Sequence, residues 1–232
     1  MQNKKSKVAI VLSIILGLFL TIPCEVAFAR DDGGGGGHGS RYSWLGVLIA
    51  IIYIIVQSWL IKRKKAKAAT VLQKLSNSND TWDEDRIKGR IEEVFFKVRI
   101  AWMERNQDIA QEYMSEKIYE KHKMQTDLML KQNKKNILEN INLTEIDILQ
   151  VADYVGDEKD KIWVRIQGSM IDYIINEKSG EILSGDKNTP EEFEELWKFV
   201  KSPNGWISDE IDQEVSISDL LMFNSFSDEN RA

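Results

Sequence analysis

Only one of the 232 residues, Cys24, is a cysteine, and only two, His38 and His122, are histidines. A lone thiol excludes an intramolecular disulfide and any cysteine-cluster metal site. The two histidines lie far apart, with a hydrophobic run between them, so no metal site and no cofactor follow from them. Gly33–Gly37 is followed by His38-Gly39-Ser40. Neither a lysine-serine nor a lysine-threonine pair comes after it and no strand comes before it, so the phosphate-loop pattern fails and the run reads as a linker. No nucleophile-base pattern is found anywhere in the chain.

Charge is missing from one stretch altogether. Trp44–Ile61, WLGVLIAIIYIIVQSWLI, holds no charged residue and ends on the basic collar Lys62, Arg63, Lys64, Lys65 and Lys67. As a helix it would span roughly 27 Å, close to the ~30 Å hydrocarbon core of a bilayer. Trp44 and Trp59 stand where interfacial aromatic rings are expected. We read the stretch as one transmembrane helix; a buried helix of this length would normally show a polar face. Ahead of it, Lys4, Lys5 and Lys7, the apolar run Val8–Ile22 and the small-residue site at Ala27-Phe28-Ala29 have the three parts of a signal peptide, residues 1–29. Pro23 before Cys24 speaks against a lipoprotein. Cleaved or retained, this segment leaves the Gly-rich linker 30–43 outside, and the span then brings the rest of the chain to the cytoplasmic side. The basic collar agrees through the positive-inside tendency.

The remainder is acidic. The whole chain carries a formal charge of −6; residues 70–232 keep 21 of its 31 basic and 34 of its 37 acidic residues, a charge of −13. Such a domain repels nucleic acid and anionic lipid over its general surface, so nucleic acid is not an expected partner. Residues 62–80 are expected to form a basic collar and juxtamembrane linker on which the domain projects from the membrane. The collar would attract anionic headgroups by about 1 kcal/mol per residue.

The domain, residues 81–214, opens with a capping-box pattern, Thr81 with Glu84. Ile87, Ile91, Val94, Phe95, Val98, Ala101 and Trp102 then recur at helical spacing. Shorter helices are expected over Asp108–Met114 and from Ser115 to about Lys134. From Ile141 the period becomes that of strands. Leu143–Tyr154 and Lys161–Ile175, joined by the turn Gly156–Asp160, form a hairpin, with a bulge near Gly168 where the apolar parity switches. A short strand, Glu181–Ser184, follows. Thr189–Val200 is locally helical, with Pro190 in its first turn, yet the alternation of Phe193, Trp197 and Phe199 also permits a strand. Ser202–Gly205 turns into Trp206–Ile211. The tail, residues 215–232, is polar apart from Ile217, Leu220, Leu221 and Phe223.

The opening helix ending in Ala101-Trp102, DYIINEKSGEI from Asp172, FEELWKFVKS from Phe193 and GWISDEIDQ from Gly205 together resemble the Tim44-like domain family. The resemblance implies an α+β fold of the cystatin-like and nuclear-transport-factor-like type, a cone of helices on a curved antiparallel sheet with a hydrophobic pocket between them. It also implies that Phe193–Lys201 is a strand, which we adopt because a sheet needs that partner. The mitochondrial relative works at an inner membrane, with lipid and a protein translocase. The expected function is thus a non-catalytic, membrane-anchored scaffold that docks a protein partner or lipid-like ligand. Val94, Phe95, Val98, Trp102, Trp163, Tyr173, Trp197, Phe199 and Trp206 are its candidate pocket, and the collar is its lipid contact. The alternative is a pocket enzyme using Asp172 as base and Tyr173 as hydrogen-bond donor.

Overall fold

The computed structural model describes residues 43–155 and 159–227. The expected signal peptide, Cys24, His38, the Gly-rich stretch up to Tyr42 and most of the Gly156–Asp160 turn lie outside the described residues. Helix α1 runs unbroken from Ser43 to Ser76. Among the described residues it is the one helix long and apolar enough to cross a membrane, over Trp44–Ser76. From Val47 onward the chain forms one compact unit.

Helix α1 does not act as a spacer. Leu60, Ile61, Ala68 and Leu72 are buried, and Ala68 and Leu72 belong to the main core with Trp82, Ile87 and Ile91. The expected projecting linker is thereby corrected: the apolar run and the folded domain share a helix, and the domain begins inside it. Hydropathy registers that a side chain leaves water, and a protein core satisfies that as well as lipid does.

A 3-10 turn, Asp80–Trp82, leads into α2, Glu84–Glu104. Its N-cap is Asp83, whose side chain accepts from the Arg86 N–H, so the Thr81–Glu84 capping box is not formed. Asp83 competes for the same helix start and sits two residues nearer to it than Thr81. The apolar stripe of α2 is buried as spaced: Ile87, Ile91, Val94, Phe95, Val98 and Ala101. A 3-10 segment, Gln107–Tyr113, and α3, Glu116–Lys131 with Ser115 as N-cap, complete the helical layer.

Facing the helices is a six-stranded sheet of β1 (Lys134–Asp153), β2 (Lys161–Asn176), β3 (Ile182–Gly185), β4 (Glu191–Ser202), β5 (Gly205–Asp212) and β6 (Phe226–Ser227). The order is β5-β4-β2-β1-β6, with β3 paired to β2. All pairs are antiparallel except β1 with β6, which makes the sheet mixed. The segment with mixed signals is a strand: β4 is hydrogen-bonded on both sides, to β2 and β5, and that pairing outweighs the local helix signals around Pro190.

The hairpin is longer than expected, since β1 starts at Lys134, and the irregularities fall on β1 instead of β2. Register shifts between Glu139 and Asn142, Leu143 and Glu145, and Ile148 and Gln150 each add a residue to β1, whereas β2 runs in unbroken register with β4 from Lys161 to Met170. Three bulges in one strand curl the sheet around α2. Gly168 lies opposite Leu143 and is required by contact: a Cβ there would stand 2.4 Å from the Asn142 carbonyl oxygen and 2.8 Å from the Phe193 ring.

The core lies between α2 and one face of this sheet. Phe95 stacks on Phe193 at 5.9 Å and meets Trp197 at 5.5 Å, while Trp82 meets Trp206 edge-on at 5.3 Å. A second apolar cluster joins Leu60 and Ile61 of α1 to Leu149, Leu196, Val215, Leu220 and Phe223. The tail is therefore a structural part of the domain. It forms a short helix, α4 (Ile217–Met222), with a capping box between Ser216 and Asp219, and continues into β6.

Candidate functional site

The candidate pocket residues divide into three groups. Val94, Phe95, Phe199 and Trp206 are filled core. Trp163 belongs to the second cluster and stacks on Phe223 at 5.4 Å, beneath the tail. Val98, Trp102, Tyr173 and Trp197 line a cavity of about 880 Å³. That cavity is bounded by the end of α2, by α3, and by β1, β2 and β4, and its walls are half polar. The resemblance implies a hydrophobic pocket, and apolar residues supply only about half of the walls of this cavity.

Its polar side chains are fixed by one another. Arg99, one turn before Trp102 on α2, pairs with Glu195 of β4, and the same carboxylate accepts from Trp197 Nε1 at 3.0 Å. Trp102 Nε1 donates to Asn136 Oδ1 at 2.9 Å, and Asn136 Nδ2 donates to Asp172 Oδ1 at 2.5 Å and to the Tyr173 carbonyl at 3.2 Å. Asp172 and Tyr173 both border the cavity, and the Tyr173 hydroxyl donates to Glu139 at 3.3 Å. Asp172 is exposed at the rim, with its carboxylate hydrogen-bonded.

His122 from α3 stands over these groups. Its ring meets Trp102 edge-on at 5.3 Å, it is 9% exposed, and its Nδ1 is buried without a hydrogen-bond partner. Burial, with Lys121 and Arg99 nearby, lowers its pKa to about 4, so it is neutral at physiological pH. Across the mouth, burial and the charges of Glu210 and Asp219 push Asp212 up. Sequence reasoning missed His122, Arg99, Asn136 and Glu195 as site residues. Each comes from a different element and carries no local motif.

The collar also divides. Lys64 donates to the Phe223 carbonyl and Lys67 to Asn224, both in the tail; Lys65 pairs with Glu145 and with the buried Asp147 of β1. Arg165 of β2 pairs with the same Asp147, and although burial opposes it, these partners hold the Asp147 carboxyl below its usual range. Three of the five collar residues thus tie α1 to its own domain. Lys62 and Arg63 stay exposed, with Arg63 lying over the Trp59 ring at 5.3 Å.

A cone of helices on a curled sheet, with a mixed cavity at its mouth and an apolar helix entering from the side, defines a pocketed α+β domain of the kind that presents a concave binding surface. A family profile for the Tim44-like domain matches residues 68–213, more than half of the chain, and the chain belongs to that family. The match begins at Ala68, where α1 enters the core. Among solved structures, the intermembrane space region of chloroplast protein ARC6 is similar with 8% identity and a TM-score of 0.39, over 54% of this chain and 95% of that one. No curated protein sequence matches.

Proposed function

We propose that this protein is a single-span membrane protein whose Tim44-like domain faces the cytoplasm and acts as a non-catalytic binding module, docking a segment of a protein partner in the mouth between α2, α3 and the sheet. The observation that carries the reading is the character of the cavity. Apolar faces from Val98, Trp102 and Leu128 alternate with fixed polar groups from Arg99, Asn136 and Glu195. A peptide offers side chains and backbone amides to such a surface, whereas an acyl chain would leave the polar half unmatched. Involvement in protein transport or assembly at the membrane accords with the family. Asp172 and Tyr173 both border the cavity, and their side chains are engaged with Asn136 and Glu139.

The test is photo-crosslinking in native membranes from a photoreactive phenylalanine in place of Leu128, compared with the same probe at the exposed Lys187. A discrete protein adduct from position 128 alone, lost when Trp102→Ala is added, supports the reading. Equal labelling from both positions, or adducts to lipid only, refutes it.

A further inference from the structure

Three contacts fix how the tail lies along α1. Gln57 Nε2 donates to the Val215 carbonyl at 2.6 Å, Lys64 donates to the Phe223 carbonyl, and Lys67 donates to Asn224. The tail therefore runs in the same direction as α1, and α4 lies beside residues 57–64, a stretch about 10 Å long. In a membrane-spanning helix this is the level at which the apolar run gives way to the basic collar.

The length of helix left free requires this level to lie at the membrane surface. Trp44–Ile55 is the part of the apolar run that the domain leaves uncovered, about 18 Å of helix against ~30 Å of hydrocarbon. Gln57, Leu60 and Ile61 are already held by the tail and sheet. A bilayer that accommodates the whole run to Ile61 must reach the α4 segment bound there.

The outer face of α4 suits that position. Its inner side chain, Leu220, is fully buried, while Leu221 and Met222 are 50% and 74% exposed. Its single carboxylate, Asp219, is taken up by the Ser216 cap. At the same level along α1 stand the exposed Trp59 and the Arg63 stacked over it, an aromatic and a cation of the kind found among headgroups. Elsewhere the domain is acidic, so contact is restricted to this patch.

We infer that α4 is a second, peripheral membrane contact: Leu221 and Met222, with Trp59 and Arg63, rest in the headgroup layer of the bilayer that α1 crosses. The inference rests on the membrane-anchored reading. It assigns the C-terminal tail two tasks, clamping α1 to the sheet on one side and seating the domain on the membrane on the other.

Fluorescence quenching of the full-length protein in vesicles of phosphatidylcholine and phosphatidylglycerol tests it. Single-cysteine variants in a Cys24→Ser background carry an environment-sensitive label at Leu48→Cys (mid-span), Met222→Cys (α4) or Met124→Cys (exposed on α3), with nitroxide lipids labelled shallow or deep. Position 48 is expected to be quenched most by deep nitroxide, position 222 severalfold more than position 124 by shallow nitroxide, and position 124 chiefly by iodide in the water. Deep quenching at 48 with equal behaviour of 222 and 124 overturns the tail contact and leaves the anchor standing. Absence of quenching at 48 overturns both.

Discussion

Acidification should weaken this domain through His122, and the size of the effect can be worked out. The ordinary imidazole pKa is about 6.5, and in the folded domain burial, Lys121 and Arg99 bring it to about 4. The folded value lies below the unfolded one, so the unfolded chain binds a proton that the folded chain rejects. The stability associated with the neutral ring is complete above the unfolded value, declines as the pH falls from about 6.5 towards 4, and changes no further below that. Between pH 7 and pH 5 the loss comes to about 2 kcal/mol. His122→Phe keeps an aromatic ring against Trp102 and removes the titration. Urea unfolding of detergent-solubilised protein at pH 7 and pH 5, followed by tryptophan fluorescence, gives the two slopes. The variant should lose about 2 kcal/mol less than the parent over this interval, and since carboxylates titrate in both proteins, the difference isolates the imidazole. Equal losses would refute the claim that His122 is held neutral by its surroundings.

Two further substitutions probe the packing. Gly168→Ala places a methyl group against the Asn142 carbonyl and the Phe193 ring. It should cost about 1–3 kcal/mol and lower the melting temperature, and an unchanged melt would mean that β1 can slide its bulges at no cost. Leu220→Ala empties the buried side of α4. A loss of about 2–5 kcal/mol is expected, with earlier proteolysis of the tail; unaltered stability and protease resistance would show that the tail adds nothing to the fold.

Much of the architecture could be read in the sequence. The stripe of α2 and the hairpin follow from periodicity, whereas the strand at Glu191–Ser202 is implied by the family resemblance against local helix signals. The rest depended on properties that a linear pattern does not carry. Leu60 and Ile61 are as hydrophobic as their exposed neighbours Ile54 and Ile55, and nothing local in the sequence distinguishes a side chain that the domain covers from one that it leaves uncovered. The tail has few apolar residues, and its importance lies in which cluster Leu220 and Phe223 complete. The start of β1 is hidden by Lys134, Lys135 and Asn136, polar residues that a sheet tolerates at the rim of a pocket. The cavity was the least legible feature. Of nine aromatic or aliphatic candidates, four reached it, because strand parity identifies a face while only the curl of the sheet decides whether that face is filled or left open. Its polar half was assembled from residues that look like ordinary surface positions on separate elements.

Helix α1 passes from the apolar run into the core without a hinge. In the membrane-anchored protein proposed above, any tilt of the span would therefore pass to the domain, and rotation about the helix axis would swing the cavity with it. A domain on a flexible tether searches a hemisphere; anchored in this way, this one would keep a set height and heading. Under that proposal, partners confined to the same membrane would meet its mouth at one approach angle, and lipid thickness, by setting the tilt, would change it.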